Sequence, residues 1–410
     1  MISVPEAQQI IRDAAPEPEV ESVPYDRFSG RVLAEEVRAS FPHPRFDNSA
    51  MDGFAVRWRD TRSASRKKSV SLRMKGEISA GTVPAIDVVR GECAQVMTGA
   101  PIPPGADAVV RVEDTSGFDS RRDVEFYRPA RARENIRFRG EEIEKGETVV
   151  PVGRRLGAAE TGTLATFGYA EVEAYRKPKV AIFATGDELK SPGEPLRPGE
   201  IYDSNLPVMR SLVDRVGAEL VVEEEIGDNP AKLKQFFERA LSLSDVILSS
   251  GGISMGRYDF VRAVLADMGL RERFWGVSQK PGKPLFFGTM EKILVFGLPG
   301  NPVSVFICFM EYVWPTFERC MGLEPQRKLE AVLSEPFPRD PVMHRFLFGN
   351  FWTDRGIVKC APTKKLGSHM LTSAVGANAI LESGPGKDHF KEGDRIKVSP
   401  LPWESMGNQS

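Results

Sequence analysis

The 410-residue chain is predicted to be a multidomain α/β protein. It should contain a three-layer doubly wound α/β domain, a helical domain, an inserted β-rich domain and a C-terminal β-barrel. Three observations favour this fold class. A single core stops growing at about 250–300 residues, so this chain needs several domains. From Lys179 onward, apolar runs alternate with helix-length segments, as in a mainly parallel sheet. Short β-prone runs separated by Gly and Pro lie on both sides of that region.

The α/β domain is predicted over residues 178–325, where four strands alternate with four helices. Strands are indicated by short apolar runs, and helices by the longer amphipathic segments between them. Asn301 and Pro302 should start the last helix, because Asn is a favoured N-cap and Pro is favoured at the first helical position. The predicted strands are 180–184, 220–224, 246–248 and 293–296, and the predicted helices are 206–216, 230–243, 258–268 and 302–320.

The other three domains are predicted from weaker patterns. Residues 1–40 and 141–177 should form the helical domain, 41–140 the inserted β-rich domain and 326–410 the C-terminal barrel. Ser3 and Glu6 have capping-box spacing, and further helical segments are expected at 31–37 and 158–165. The β-prone runs are 94–97, 108–112 and 124–127 in the inserted domain, and 345–352, 379–381 and 395–398 in the barrel.

Composition excludes several classes of protein. The 55 Lys+Arg nearly balance the 57 Asp+Glu, so no global charge attracts nucleic acid or an anionic membrane. The N-terminus lacks the pattern of a signal peptide, and the longest apolar stretch, 303–317, is too short to span a bilayer. A cytoplasmic location is therefore expected. The four Cys and four His are scattered without a Cys-x-x-Cys pair, so any metal should be a hard cation held by carboxylates.

Three polar loops directly follow predicted strands of the α/β domain. They span residues 185–188, 249–252 and 298–302. In a parallel sheet these loops must lie at the same carboxyl edge, which is where such folds bind ligands. A single Gly-rich turn could have a purely structural role, but three such turns at one edge of the sheet predict a ligand-binding site.

Carboxylates in or just beyond these loops could hold Mg²⁺ and leave positions open for phosphate oxygens. They are Asp187, Glu188, Asp228 and Asp259. Solvated, helix-capping carboxylates are the alternative, and this alternative is credible for Asp228 because Asp-Asn-Pro is also a good helix start.

Two basic segments could bind oxyanions. Lys280 and Lys283 stand on a stiff Pro-Gly frame, which suits a phosphate clamp, with a surface turn as the alternative. A second segment lacks the aromatic platform of a nucleic-acid site, so a small oxyanion or a phosphorylated ligand is favoured. Its arginines are Arg131, Arg133, Arg137 and Arg139.

The segment 46–56 concentrates two carboxylates, an amide and a hydroxyl beside Gly53. These are the groups of a ligand site, although Asp, Asn and Ser are also ordinary turn residues. Thr98 lies on a second turn, 97–101, where a rigidly presented hydroxyl could hold an anion or a metal-bound water.

Seven motifs, in one order along nearly the whole chain, resemble the molybdopterin molybdenumtransferase family, which includes MoeA and the gephyrin E domain. Each motif alone is weak, but their joint order and spacing are highly specific. They are Asp47-Asn-Ser-Ala-Met-Asp-Gly53, Met97-Thr-Gly-Ala-Pro101, Thr185-Gly-Asp-Glu188, Ile201-Tyr-Asp-Ser-Asn205, Ser249-Ser-Gly-Gly-Ile-Ser254, Lys280-Pro-Gly-Lys-Pro284 and Gly297-Leu-Pro-Gly-Asn-Pro302.

The resemblance implies a homodimer whose helical domain mediates dimerisation and whose active cleft combines domains of both subunits. It also implies a Mg²⁺-dependent reaction that inserts molybdate into adenylylated molybdopterin and releases AMP, with molybdopterin adenylyltransferase as a candidate partner. The implied catalytic residues are Asp52, Thr98, Arg137, Glu188 and Asp259. The implied substrate-binding residues are Thr185, Asp187, Ser249, Gly251, Gly252, Ser254, Lys280, Lys283, Pro299, Pro302 and Ser368. The implied metal ligands are Glu188, Asp228, Asp259 and Glu142.

Two positions depart from the family pattern. Glu142 follows Gly140-Glu where the family often has Asp, so its carboxylate stands on a longer arm. Arg257 stands where an acidic residue is common, which would alter the local electrostatics near Asp259.

Two other functions stay open at this point. A molybdopterin adenylyltransferase would share the α/β domain, although it should be a compact single domain. A non-enzymatic scaffold resembling gephyrin is the second alternative, although that role usually needs additional fused modules. The sequence does not separate molybdate from tungstate, since both are tetrahedral and nearly equal in size.

Overall fold

The computed structural model describes residues 1–119, 122–227, 229–252 and 260–403. The chain divides into two compact units. One contains Met1–Ala34 and Glu171–Ser410, and the other contains Glu35–Ala170. Among the described residues, no helix combines the length and the apolar character that crossing a bilayer requires. The division into four domains remains a prediction.

The first unit contains a six-stranded sheet whose four parallel strands confirm the prediction. Two further strands, Phe286–Met290 and Arg271–Trp275, add antiparallel to one side of the sheet and were not predicted. Phe286–Met290 connects to Ile293–Leu298 through a tight turn at Glu291, which has a φ of 52°. The two strands are therefore joined without a helix between them. The order across the sheet is Glu219–Ile226, Lys179–Thr185, Val246–Ser250, Ile293–Leu298, Phe286–Met290 and Arg271–Trp275.

Buried side chains on both faces give this sheet its three layers. Alternate residues of a strand point to opposite faces. Ile182 accordingly belongs to one core with Met209, and Phe183 belongs to the other, where its ring centroid lies 4.7 Å from that of Phe236. The helices Asn205–Val216, Pro230–Leu243 and Phe260–Asp267 supply the covering layers together with the last helix. The doubly wound arrangement is therefore confirmed.

The last helix is interrupted by a wider turn. It consists of Pro302–Cys308, a π-helical turn at Phe309–Val313, and Trp314–Cys320. Pro315 follows this turn, at a position where its missing N–H is tolerated. Single π-helical turns inside α-helices often accompany functional residues, and this turn contains the buried Glu311.

The prediction that residues 1–40 are helical was wrong beyond the first helix. Val4–Ala14 is helical and has the expected capping box. The chain then enters the strand Val20–Pro24, which pairs antiparallel with Glu171–Tyr175. The predicted helix at 31–37 is absent, because Leu33 joins this β structure through a bridge to Ala174. Prolines at 16, 18 and 24 disfavour a helix in the segment that leads there.

The second unit contains the predicted β-rich fold and the helix Ala158–Thr166, which confirms the helix expected at 158–165. Phe54, Val124 and Phe126 are fully buried in its core. The longest strand, Val70–Ile78, was not singled out in the sequence. Its five-stranded sheet has the order Ala108–Arg111, Gly53–Val56, Glu92–Val96, Val70–Ile78 and Asp123–Phe126.

The C-terminal strands form the predicted barrel. Each of the five strands pairs with the next, and Ala379–Ser383 pairs back with His344–Asp354, which closes the ring. Gln279–Lys280 adds in parallel beside His344–Asp354. Around the ring the strands are His344–Asp354, Ile357–Pro362, Leu329–Leu333, Arg395–Pro400 and Ala379–Ser383.

Candidate active site

The three polar loops meet at the carboxyl edge of the parallel strands, as predicted. They surround a cavity of about 500 Å³. Five of the residues singled out in the sequence contribute to its wall: Thr185, Glu188, Gly251, Gly252 and Pro302. The neighbouring strands Lys179–Thr185, Val246–Ser250 and Ile293–Leu298 place these loops side by side because they pair in register.

Gly251 and Gly252 allow the loop after Val246–Ser250 to pack closely on Thr185. Both have positive φ angles, 84° and 66°. A Cβ at Gly251 would lie 2.7 Å from the Thr185 carbonyl oxygen, and one at Gly252 would lie 2.9 Å from Thr185 Oγ1. No other residue fits both the backbone conformation and the space. The Thr185 hydroxyl is thereby fixed in the cavity wall.

A second wall comes from residues that belong to the predicted motifs but were not predicted as site residues. Asp203 Oδ1 accepts a hydrogen bond from the backbone N–H of Asn205 at 2.7 Å. Asn205 Nδ2 donates to Ser250 Oγ and to the Gly300 carbonyl oxygen, both at 2.7 Å. These bonds tie the start of the Asn205–Val216 helix to two strand-following loops, and all four residues line the cavity.

Glu188 contributes a carboxylate to the cavity wall, and it lies directly over the backbone of Gly186. Asp187 instead points toward Gly227, where a Cβ would lie 2.8 Å from its Oδ1. Within the described part of the chain, no three acidic, histidine or cysteine side chains gather into a metal site by themselves.

Ser368 and its neighbour His369 reach this site from the barrel end of the chain. Ser368 Oγ accepts a hydrogen bond from Asn301 Nδ2 at 3.0 Å, and its carbonyl oxygen accepts one from the Val303 N–H at 3.1 Å. His369 also lines the cavity, and it was not among the predicted site residues.

Other predicted residues lie outside the cavity wall. Ser249 and Pro299 are buried in neighbouring positions of the same loops. Lys280 lies in the two-residue strand beside the barrel, and Lys283 follows it; both are exposed. The positive charge of Lys280 reaches Asp340, whose pKa is lowered chiefly by backbone hydrogen bonds from residues 342 and 343.

Three predicted residues fall outside the described ranges. They are Asp228, Ser254 and Asp259, and Arg257 is a fourth position of interest that lies there. Their roles remain predictions from the sequence.

In the second unit, Asp52 and Thr98 form a closely hydrogen-bonded pair. The backbone N–H and the hydroxyl of Thr98 both donate to Asp52 Oδ1 at 2.7 Å. These two bonds, the backbone one first, lower the pKa of Asp52 below its usual value. The carboxylate is therefore ionised and fixed in orientation at neutral pH.

The arginine segment joins the same pair of turns. Arg137 stands opposite Asn48 in a short antiparallel pairing, and the Arg139 N–H donates to Asp47 Oδ1 at 2.8 Å. The Gly99 N–H donates to the Ser49 carbonyl oxygen at 2.8 Å, which fastens the turn that contains Thr98. Three motifs that are far apart in sequence thus converge within this unit.

Glu142 lies at the far end of the arginine segment. Its Oε2 is 3.5 Å from His43 Nε2, and its backbone N–H donates to the His43 carbonyl oxygen. The side chain is largely exposed, so its carboxylate stays available to a ligand.

Three family descriptions match consecutive parts of this chain. They are the MoeA N-terminal region (domain I and II) at residues 2–168, the probable molybdopterin binding domain at 181–319, and the MoeA C-terminal region (domain IV) at 330–401. Together they span almost the whole chain.

Full-length relatives agree with this assignment. The molybdopterin molybdenumtransferase of Haemophilus influenzae is 31% identical over 406 residues, covering 98% of this chain and 99% of the relative. That of Bacillus subtilis is 32% identical and covers 100% and 98%. A crystal structure of a molybdopterin biosynthesis MoeA protein from Pyrococcus horikoshii has a TM-score of 0.79 at 32% identity, covering 98% of this chain and 99% of that one. The chain therefore belongs to the molybdopterin molybdenumtransferase family, whose members are enzymes of molybdenum cofactor biosynthesis.

Proposed function

We propose that this enzyme inserts molybdate into adenylylated molybdopterin in a Mg²⁺-dependent reaction that releases AMP. The cavity at the carboxyl edge of the parallel sheet carries the proposal, because such edges are where these folds bind ligands. Its volume of about 500 Å³ lies in the range of small-molecule sites. The probable molybdopterin binding domain matches the residues that build it.

The donor groups in this wall fit Mg²⁺. This ion usually binds one or two carboxylates together with substrate phosphates and water, so it needs no cluster of three protein ligands. Glu188 would hold it, and Asp228 and Asp259 are further candidates from the sequence. Glu142, in the second unit, stays a metal ligand implied by the family resemblance. When bound, Mg²⁺ would offset the negative charge of the phosphate oxygens.

The second unit supplies groups suited to a tetrahedral oxyanion. Arg137 provides a guanidinium that can donate two hydrogen bonds to an oxyanion. Asp52, kept ionised by Thr98, can accept a hydrogen bond from a water molecule bound beside the oxyanion. We therefore assign molybdate binding to these three residues.

The proposal also includes a homodimer, a cytoplasmic location and a molybdopterin adenylyltransferase that supplies the substrate. Light scattering of the purified chain tests the dimer. A mass of one chain, 45.4 kDa, would remove it from the proposal.

The decisive experiment measures AMP release from adenylylated molybdopterin with and without molybdate and EDTA. We expect release to require both molybdate and Mg²⁺. Glu188→Gln should lower kcat at least about tenfold, which corresponds to about 1.4 kcal/mol of transition-state stabilisation. Glu194→Gln, on an exposed loop, is the matched control and should leave kcat unchanged. Consumption of ATP with unmodified molybdopterin would instead identify an adenylyltransferase, and no reaction with either substrate would favour a scaffold.

A further inference from the structure

Three buried polar atoms of the cavity residues have no hydrogen-bond partner among the residues that the structure describes. They are Thr185 Oγ1, Asp203 Oδ2 and Asn205 Oδ1. Their residues are only 8%, 4% and 8% exposed. Buried polar groups in folded proteins are nearly always paired, so three orphans in one cavity wall indicate a ligand that supplies the missing partners.

The existing hydrogen bonds fix which atoms are left over. Asn205 Nδ2 donates to Ser250 Oγ and to the Gly300 carbonyl oxygen, so turning the amide round would set Oδ1 against that carbonyl and lose the bond to it. Its Oδ1 is therefore an acceptor. Asp203 Oδ1 accepts from the Asn205 N–H, which leaves Oδ2 as a second acceptor. The Thr185 hydroxyl can donate as well as accept.

The ligand that fits this set presents two N–H donors beside one acceptor on a single edge. We propose that Asp203 and Asn205 bind the 2-amino and ring N–H groups of a pterin, with the Thr185 hydroxyl donating to its 4-oxo oxygen. The proposal rests on the proposed function and assigns the pterin end of the substrate to this cavity. Adenine carries both of its N–H donors on one amino group, whereas a pterin carries them on two neighbouring groups, so we assign the adenylyl end of the substrate to another part of the site.

Replacing one substituent of the ligand tests the pattern without any mutation. Pterin-6-carboxylate carries the 2-amino group, and 6-carboxylumazine carries an oxo group in its place. Fluorescence titration of the full-length enzyme should show pterin binding at least about tenfold more tightly than lumazine. An excess of AMP should leave the pterin bound. Equal affinity for the two compounds, or competitive displacement by AMP, would overturn the assignment.

Asp203→Asn then tests the residue. The amide keeps the Oδ1 acceptor for the helix start but can replace the Oδ2 acceptor with an N–H donor. Pterin affinity should fall at least about tenfold while lumazine affinity rises, because the new N–H can donate to the 2-oxo group. Asp214→Asn, exposed on the same helix, is the matched control and should leave both affinities unchanged. An unchanged preference in a folded Asp203→Asn variant would also overturn the assignment.

This test separates the inference from the proposed function. An enzyme that prefers pterin to lumazine but releases no AMP would refute only the reaction. An enzyme that releases AMP but binds both compounds equally would refute only the assignment of Asp203 and Asn205.

Discussion

Replacing Lys328 by methionine should strongly destabilise the first unit, because two buried carboxylates share this ammonium group. Lys328 Nζ lies 2.8 Å from Glu311 Oε2 and also pairs with Glu382. The Glu311 and Glu382 side chains are only 3% and 7% exposed. Burial raises the pKa of Glu311. Burial alone would lower the pKa of Lys328, but the two carboxylates outweigh it, so the pKa of Lys328 is raised.

The expected cost is about 3–5 kcal/mol at pH 7.5, the range for removing one partner of a buried ion pair. This cost should depend on pH. Without the ammonium, the pKa of Glu311 would be raised further above its unfolded value. A raised pKa gives stability that is present at low pH and is lost as the pH rises through the folded value. The cost should therefore shrink by about 1–2 kcal/mol at pH 5.5.

Urea unfolding at both pH values measures this effect. Lys359→Met is the matched control, because Lys359 pairs with Asp354 at 2.6 Å with both side chains more than a third exposed. That change should cost less than about 1 kcal/mol at either pH. Equal costs for the two variants at pH 7.5 would refute the reasoning, since Lys328 would then not be needed to neutralise the buried carboxylates.

Three further predictions concern single contacts. Asp245→Asn removes the charge that pairs with Arg176 through two hydrogen bonds, and it should lower the free energy of unfolding by about 1 kcal/mol at pH 7. Because the pKa of Asp245 is lowered, this loss should shrink as the pH falls below 3.8, and a pH-independent loss in urea unfolding would contradict the prediction. Gly252→Ala should lower Tm more than Gly168→Ala. A Cβ at position 252 would lie 2.5 Å from a carbon of Val261, whereas a Cβ at position 168 would meet nothing within 4 Å, so an equal loss of Tm in the two variants would disprove close packing at Gly252. Thr98→Val should raise the pKa of Asp52 toward 3.8 in an NMR titration but leave it lowered, because the backbone donor remains; an unchanged pKa would mean that the hydroxyl contributes nothing.

The sequence predicted the cavity from one rule. Loops that follow parallel strands must share an edge, so the sequence alone places residues 185–188, 249–252 and 298–302 together. The wall formed by Asp203 and Asn205 could not be placed in this way. It follows a two-residue strand, Ile201–Tyr202, that lies outside the main sheet. The hydrogen bonds of Asn205 to Ser250 and Gly300 bring this wall to the site.

The convergence of motifs in the second unit was also beyond the sequence. Arg137 and Asn48 meet through a pairing of two residues on each side, too short to leave a periodic pattern. The strand Val20–Pro24 was mistaken for helix because its partner, Glu171–Tyr175, is far along the chain. Local propensity carries no information about such a partner.

The order of the six-stranded sheet has a consequence for the solubility of the chain. Its outer strand, Glu219–Ile226, contains three successive glutamates, and an exposed edge strand is a template for pairing with other molecules. Glu223 and Glu224 are each paired with an arginine from a covering helix, Arg210 and Arg239 respectively. A second chain that paired with this edge would have to bring its backbone past these partly exposed ion pairs. Within the described residues the sheet ends at this strand, and its charged side chains disfavour the addition of a strand from another molecule.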